Sequence, residues 1–496
     1  MIPPIYLEIA VLAIGLFLLM YEAFANDKNK SLIAWLAITG LSSVLLFSFF
    51  IPGFGESAQS AQAALPYSRF YRTDLLALFF KQIALGTTIV ILVMSMEYKN
   101  VLRKFIFGAE AESGVAEFYA LPVFACAGLM WMASAIDFVF IFVSLELVTI
   151  SFYVLVSYTR RNPASLEAGV KYLILGALST GFLVYGITWI FGMTGETNLL
   201  VIGSQIRELK ELNVPLLFGM VLVLVGLGFK IAAVPFQLWV PDVYQGAPTP
   251  VTAFLSVGSK AAGFIVLMRV LDAFMAAPVY RVKLIALFTI LAAATLIYGN
   301  LASMPQNNLK RLLAYSSIAH AGYLLVAVAS IGALNAAMAI PFYLAGYLLM
   351  TLLAFMVMTV VTSHTGGDDI ANFNGLARRS PFLAFGMLVA MASLAGVPLT
   401  VGFLGKFLVF ESAMQQHQYL LVGIGAVTVA AGFYYYLKVV RAMYWKEPAS
   451  EIRIRVSPVT GLAIFVLSTA IFVLGVYPQP VFKMLKPVEK VALAAR

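Results

Sequence analysis

Two lysines sit deep in apolar sequence, each beside a proline that an apolar helix does not readily accommodate. Residues 225–263 read VGLGFKIAAVPFQLWVPDVYQGAPTPVTAFLSVGSKAAG, with Lys230 ahead of Pro235, a Gly/Pro-rich turn from Gln245 to Pro250, and Lys260 in the next apolar run. The pairing returns in GVPLTVGFLGKF (396–407), where Pro398 precedes Lys406. A charge at membrane depth is costly and is read first as part of an ion pathway. A proline inside a helix removes one backbone hydrogen bond and clashes with the preceding turn. In a membrane that is tolerated only where protein or a wet cavity satisfies the freed carbonyls. Glu146, in FVSLELVTISF, is the acid most plainly inside an apolar run. It reads as the partner of Lys230 or as a protonated, hydrogen-bonded structural acid. A Glu146–Lys230 pair that opens and closes would be a proton switch.

The remaining polar positions extend this reading. Lys171 lies one turn from Glu167, where i and i+4 share a helix face; it is either half of a surface pair or a lateral relay. Lys260 has no acid nearby in sequence, and Lys406 has Glu411 five residues on. His320, in AYSSIAHAGY, has Ser316, Ser317 and Tyr323 for company. It is a packing histidine or a titratable relay. Lys81, close to Asp74, is explained as well by snorkelling to the membrane edge as by function. His364 and His417 read as inert loop residues, and Tyr434 to Tyr436 as interfacial anchors. The expected site is thus a line of proton-carrying positions, Glu146, Lys171, Lys230, Lys260, His320 and Lys406, with Pro235 and Pro398 breaking two helices. No nucleophile with its base, phosphate-binding glycine loop or metal-ligand cluster stands out.

The elements that position these residues follow from composition. Of 496 residues, 62% are hydrophobic and only 11% charged, against roughly 25% charged in soluble domains. An all-α, polytopic membrane protein is expected. The net charge of +9 needs no nucleic acid, because basic residues in loops are what the positive-inside rule requires. The lone Cys126 excludes disulfides and thiolate-ligated clusters within the chain. At ~20 apolar residues per span, about fourteen spans are read at 4–24, 31–51, 74–96, 115–134, 136–157, 165–192, 214–241, 249–271, 283–303, 309–333, 335–362, 381–413, 419–440 and 456–477. The first lacks a basic leader and is expected to be retained. Loops with Lys28, Lys30, Lys99, Arg103, Arg160, Arg161, Lys310, Arg311, Arg378 and Arg379 form the more basic side. This places them in the cytoplasm and both termini outside, on the periplasmic side of a bacterial inner membrane.

AAVPFQLWV (232–240) and AGVPLTVGF (395–403) are five spans apart, each in an unusually long span with a lysine close by. They imply two five-helix units, spans 4–8 and 9–13. Five is odd, so the second unit enters the membrane inverted, as in transporters whose interrupted helices mark the ion path. The corresponding division is 1–114 for the first three spans, 115–271 and 281–440 for the two repeats, and 441–496 for the last span and tail.

The motifs FKIAAVPFQLWVPDVYQGAPTPVTAFLSVGSKAAGF (229–264), KRLLAYSSIAHAGYLL (310–325) and GVPLTVGFLGKF (396–407) resemble the subunit N family of bacterial NADH–quinone oxidoreductase, respiratory complex I. The resemblance runs over essentially the whole chain. It implies a proton-translocating subunit of the membrane arm, among sister antiporter-like subunits in the lipid bilayer, built from two inverted repeats. It matches Glu146 to the family's acid on the fifth helix and Lys230 to the lysine of the broken seventh. Lys260 matches the lysine of the eighth helix and Lys406 that of the broken twelfth; Lys171 and His320 fall in matching segments. Some sister subunits carry a histidine on the eighth helix where Ser256 and Ser259 stand here. By the same resemblance NADH, FMN, iron–sulfur clusters and quinone belong to partner subunits, and no cofactor is expected in this chain. The competing expectation is a subunit of a multi-subunit (Mrp-type) sodium/proton antiporter.

Overall fold

The apolar runs become helices because lipid leaves the backbone no partner but itself. The computed structural model describes residues 4–24, 32–50, 66–105, 113–333, 336–448 and 453–485. Among the described residues twelve helices are long and apolar enough to cross a membrane, and two shorter apolar ones, Leu32–Ser48 and Pro381–Ala395, complete the fourteen positions. In order the spans are Tyr6–Phe24, Leu32–Ser48, Leu75–Glu97, Ser113–Ser134, Phe138–Val156, Pro163–Thr194, the broken seventh, Thr249–Phe274, Pro278–Ser303, Leu309–Ala329, Ala336–Thr365, the broken twelfth, Tyr419–Trp445 and Pro458–Val476. The eighth, tenth and eleventh form the core, buried almost throughout, whereas the first, sixth and fourteenth turn apolar faces outward. Between the sixth and seventh spans a short helix, Leu199–Arg207, buries Leu199, Ile202 and Ile206 and exposes Leu200.

The two breaks have a common local cause. The seventh span ends at Ile231 with Ala232 in the left-handed region (φ 62) and resumes as Val240–Gly246. The twelfth ends at Ala395 with Gly396 left-handed (φ 93) and resumes at Val401. Each proline, Pro235 (after a cis peptide) and Pro398, therefore follows a helix that has already been capped. That is the common place for a proline, one or more residues past a left-handed cap. Pro122 and Pro341 lie inside continuous helices, so proline alone does not make a break here. Ala232 holds a conformation that costs a residue with a Cβ ~1–2 kcal/mol, a strain of the kind that collects at functional sites.

The inverted repeat appears as two matching clamps. Ahead of the fifth span, Phe138 N donates to Thr197 O (2.9 Å) and Leu199 N to Ile136 O (2.8 Å). Ahead of the tenth, Leu309 N donates to Asp368 O and Ile370 N to Asn307 O, both at 2.8 Å. The second set repeats the first at one constant offset, down to the capping side chains Asp137 and Asn308. Five crossings separate the clamps, so they lie on opposite faces of the membrane. The same offset carries Glu146 onto Ser317 and Thr149 onto His320.

Candidate functional site

Lys230 ends the first half of the seventh span and is buried. Its Nζ donates to Thr149 Oγ1 at 2.6 Å, one turn along the fifth span from Glu146. Glu146 instead accepts from Thr180 Oγ1 of the sixth span at 2.9 Å. Acid and amine are therefore not in ion-pair contact; each is held by a threonine hydroxyl. A hydroxyl both donates and accepts, so it can hold either protonation state of its neighbour. The break itself is closed by other side chains: Trp239 Nε1 donates to Phe229 O (3.1 Å) and Thr295 Oγ1 accepts from Val234 N (3.1 Å). Gly263 allows the eighth span to lie against this turn, since a Cβ there would come within 3.0 Å of Ile231 Cγ2 and 3.5 Å of Lys230 Cβ.

Lys260 stands at the end of a π-helical turn, Leu255–Ser259, within the eighth span. Such bulges are frequent at functional sites. Its Nζ donates to both the carbonyl and Oγ of Ser317 and lies 5.1 Å from the centre of the Tyr347 ring. Tyr347 Oη shares a hydrogen bond with Ser256 Oγ (2.9 Å). The His320 ring packs 5.0 Å from Tyr347; its Nδ1 meets Tyr343 Oη at 2.7 Å and its Nε2 meets Tyr436 Oη at 3.1 Å. Tyr436 is also bonded to Ser316. Lys406 Nζ donates to Leu394 O and Ala395 O, both at 2.9 Å, which are carbonyls left free by the break in the twelfth span. It also lies 5.0 Å over Tyr323, whose ring is 5.9 Å from that of His320. Lys260, His320 and Lys406 are thus joined through tyrosines, with no carboxylate in ion-pair contact with either lysine among the described residues.

The other expected residues fall elsewhere. The structure does not bring Lys171 into this line: its side chain is 41% exposed and pairs with Glu167 and Asp242, each at 2.7 Å. Asp242 in turn pairs with Arg311 at 2.8 Å. Lys81 does not snorkel. It is fully buried, 2.9 Å from the equally buried Glu8 of the first span and 2.6 Å from Tyr71 Oη. Tyr434 is exposed as an interfacial anchor should be, but Tyr435 and Tyr436 are buried, with Tyr435 Oη donating to Asn300 Oδ1 (3.0 Å). Asp74 caps the third span; burial pushes its carboxyl up, but Arg269, 3.0 Å away, and Arg72 outweigh that and hold it below the usual carboxylate range. The hydroxyls that hold Lys230, Glu146 and Lys260 carry no sequence signal of their own, because serine and threonine are scattered through most of the spans.

The sequence profile described as NADH:quinone oxidoreductase/Mrp antiporter, transmembrane, matches residues 135–432, more than half of the chain. The chain belongs to this family. Within the NADH:quinone oxidoreductase/Mrp antiporter family, a curated relative from Trichlorobacter lovleyi named NADH-quinone oxidoreductase subunit N is 38% identical over 486 residues, 97% of this chain and 96% of its own length. A chain from the structure of Thermus thermophilus respiratory complex I with bound aureothin is 30% identical, with a TM-score of 0.78 over 97% of this chain and 99% of that one. A chain of the Mrp complex from Dietzia reaches the same TM-score at 17% identity over the whole of both chains, a likeness of fold alone.

Proposed function

We propose that this chain is a proton-translocating membrane-arm subunit of an NADH–quinone oxidoreductase, coupling quinone reduction in partner subunits to proton movement through its buried lysines. The carrying observation is the buried cluster of Lys260, His320 and Lys406, in which the Tyr347 ring lies against Lys260 and His320 and the Tyr323 ring against His320 and Lys406. The names of the relatives at full length favour the oxidoreductase over the Mrp antiporter, whose structural likeness is confined to fold. Redox groups then reside in partners, and among the described residues no group of His, Cys, Asp and Glu is arranged to hold a metal. The termini lie on the less basic, periplasmic side of a bacterial inner membrane, and the repeats take 115–271 and 281–440.

In this reading His320 is the central transfer group. A neutral imidazole has one protonated and one free nitrogen, and here both face a phenol oxygen. When one nitrogen accepts a proton from Tyr436, itself re-supplied through Ser316, the other nitrogen passes its proton to Tyr343 as that phenol gives up its own hydroxyl proton, so the ring transmits charge without accumulating it. Lys260 and Lys406 are the end stations, and Lys230, on Thr149, with Glu146, on Thr180, forms the switch of the first repeat. Lys171 belongs to the rim and not to the line.

The test is proton pumping and quinone-reductase turnover of the assembled complex in sealed vesicles. Lys230→Ala and Glu146→Ala are expected to leave the complex assembled and to impair pumping and coupled turnover. Assembled variants that pump at the parental ratio of protons to electrons overturn the proposal.

A further inference from the structure

The half-helix Val240–Gly246, which resumes the seventh span after its break, bears two unlike contacts on opposite faces. Asp242 and Gln245, one turn apart, point to the basic face. Arg311 of the tenth span donates to both, at 2.8 Å to Asp242 Oδ1 and 3.0 Å to Gln245 Oε1. Lys171 of the sixth span takes the other carboxylate oxygen at 2.7 Å. Tyr244, two residues from Asp242 and so rotated by about 200° around the helix, is buried and meets Ser317 Oγ at 3.3 Å. That is the serine to which Lys260 donates. One short helix, free of regular structure on its N-terminal side, therefore ties a half-exposed ion network to the cradle of a buried lysine.

We propose that Val240–Gly246 is a latch on the basic-face approach to Lys260, with Asp242 as the positioning residue that holds it closed between the two repeats. This rests on the proton-translocating reading above. When Asp242 lets go of Lys171 and Arg311, the half-helix rocks outward, Tyr244 withdraws from Ser317, and water reaches Lys260. No bond is made or broken beyond hydrogen bonds. Because the network bridges the sixth and tenth spans, the latch senses displacement of one repeat against the other. Lys171 thereby acquires a role at the rim and not in the relay.

The test uses the whole complex in sealed vesicles. Asp242→Asn is expected to raise passive proton leak without turnover, to lower the pumping ratio, and to leave uncoupled quinone-reductase turnover unchanged. Backbone amides of Val240 and of 242–246 should exchange hydrogen about tenfold faster, the size expected when about 1.4 kcal/mol of charge-assisted bonding is lost. Asp242→Glu should restore the parental values. Unchanged leak and exchange in Asp242→Asn overturn the latch, while the Lys230→Ala result independently decides the translocation reading. Should Asp242→Asn fail to assemble, exchange in the parental complex decides instead: screening of these half-exposed pairs by salt must accelerate exchange at 240–246 selectively, and a segment indifferent to salt rejects the latch.

Discussion

At the scale of single residues, the two lysines beside the helix breaks are alike in sequence but held differently. Lys230 donates to a rotatable hydroxyl, Thr149, whereas Lys406 fills two backbone carbonyls, Leu394 O and Ala395 O, at the end of a half-helix. A buried carbonyl left without a donor costs ~1–3 kcal/mol, and the negative end of a helix adds to the attraction for an ammonium. Lys406→Ala should therefore destabilise the purified complex by about 2 kcal/mol more than Lys230→Ala, read as the lower midpoint in thermal or denaturant unfolding. Equal midpoints contradict the capping role of Lys406. The lysines were legible because a charge in an apolar run stands out from its neighbours. Their partners were not: Thr149, Thr180 and Ser317 matter through a hydroxyl at one place on one face, and many other serines and threonines bond only to their own helix, as Thr88 does to Ala84 O. The run Tyr434–Tyr436 misled for the same reason, since 100° of rotation per residue sends one ring to the surface and its neighbours into the core.

At the scale of elements, the third span is fixed to the first by a pair that sequence spacing could not reveal, because Glu8 and Lys81 lie on different helices. Both side chains are completely excluded from solvent, and Tyr71 Oη donates to Glu8 Oε1 (3.0 Å) while accepting from Lys81. Removing one member of a buried pair strands a charge and costs ~3–5 kcal/mol, whereas removing both costs far less. Glu8→Gln and Lys81→Met should each lower the amount of chain incorporated into the complex, and the double variant should recover most of it. A double variant as poor as the worse single one would show that the pair itself is not what matters. The breaks were legible to within a few residues from Val-Pro in a long apolar run. Their true ends depend on left-handed residues, Ala232 and Gly396, which precede the prolines, and an alanine carries no sign that it will adopt that conformation. Nor did any sequence pattern announce the π-helical turn that aims Lys260.

At the scale of the whole molecule, the inverted repeat was legible as two copies of one proline–lysine pattern an odd number of spans apart, and the matched clamps around the fifth and tenth spans give it a register. That register sets Glu146 over Ser317 and Thr149 over His320, so equivalent places on the fifth and tenth spans carry different chemistry. The difference has a physical setting. His320 and Ser317 are enclosed on all sides, while Glu146 is only half-buried, beside the outward stripe Val139, Val143, Ile150 and Val154 of the fifth span. Lipid is a poor neighbour for a carboxyl at that depth. The face is therefore expected to meet another membrane-arm subunit in the assembled complex, which would complete the surroundings of Glu146 as the second repeat completes those of Lys260. A photo-crosslinking side chain in place of Val143 or Ile150, activated in native membranes, should yield one discrete protein adduct containing a neighbouring antiporter-like subunit. The adduct should be lost when the tagged chain is expressed without its partners. Crosslinks to lipid alone in the intact complex would mean that Glu146 faces the bilayer, and the expected contact with a neighbouring subunit through this face would have to be abandoned.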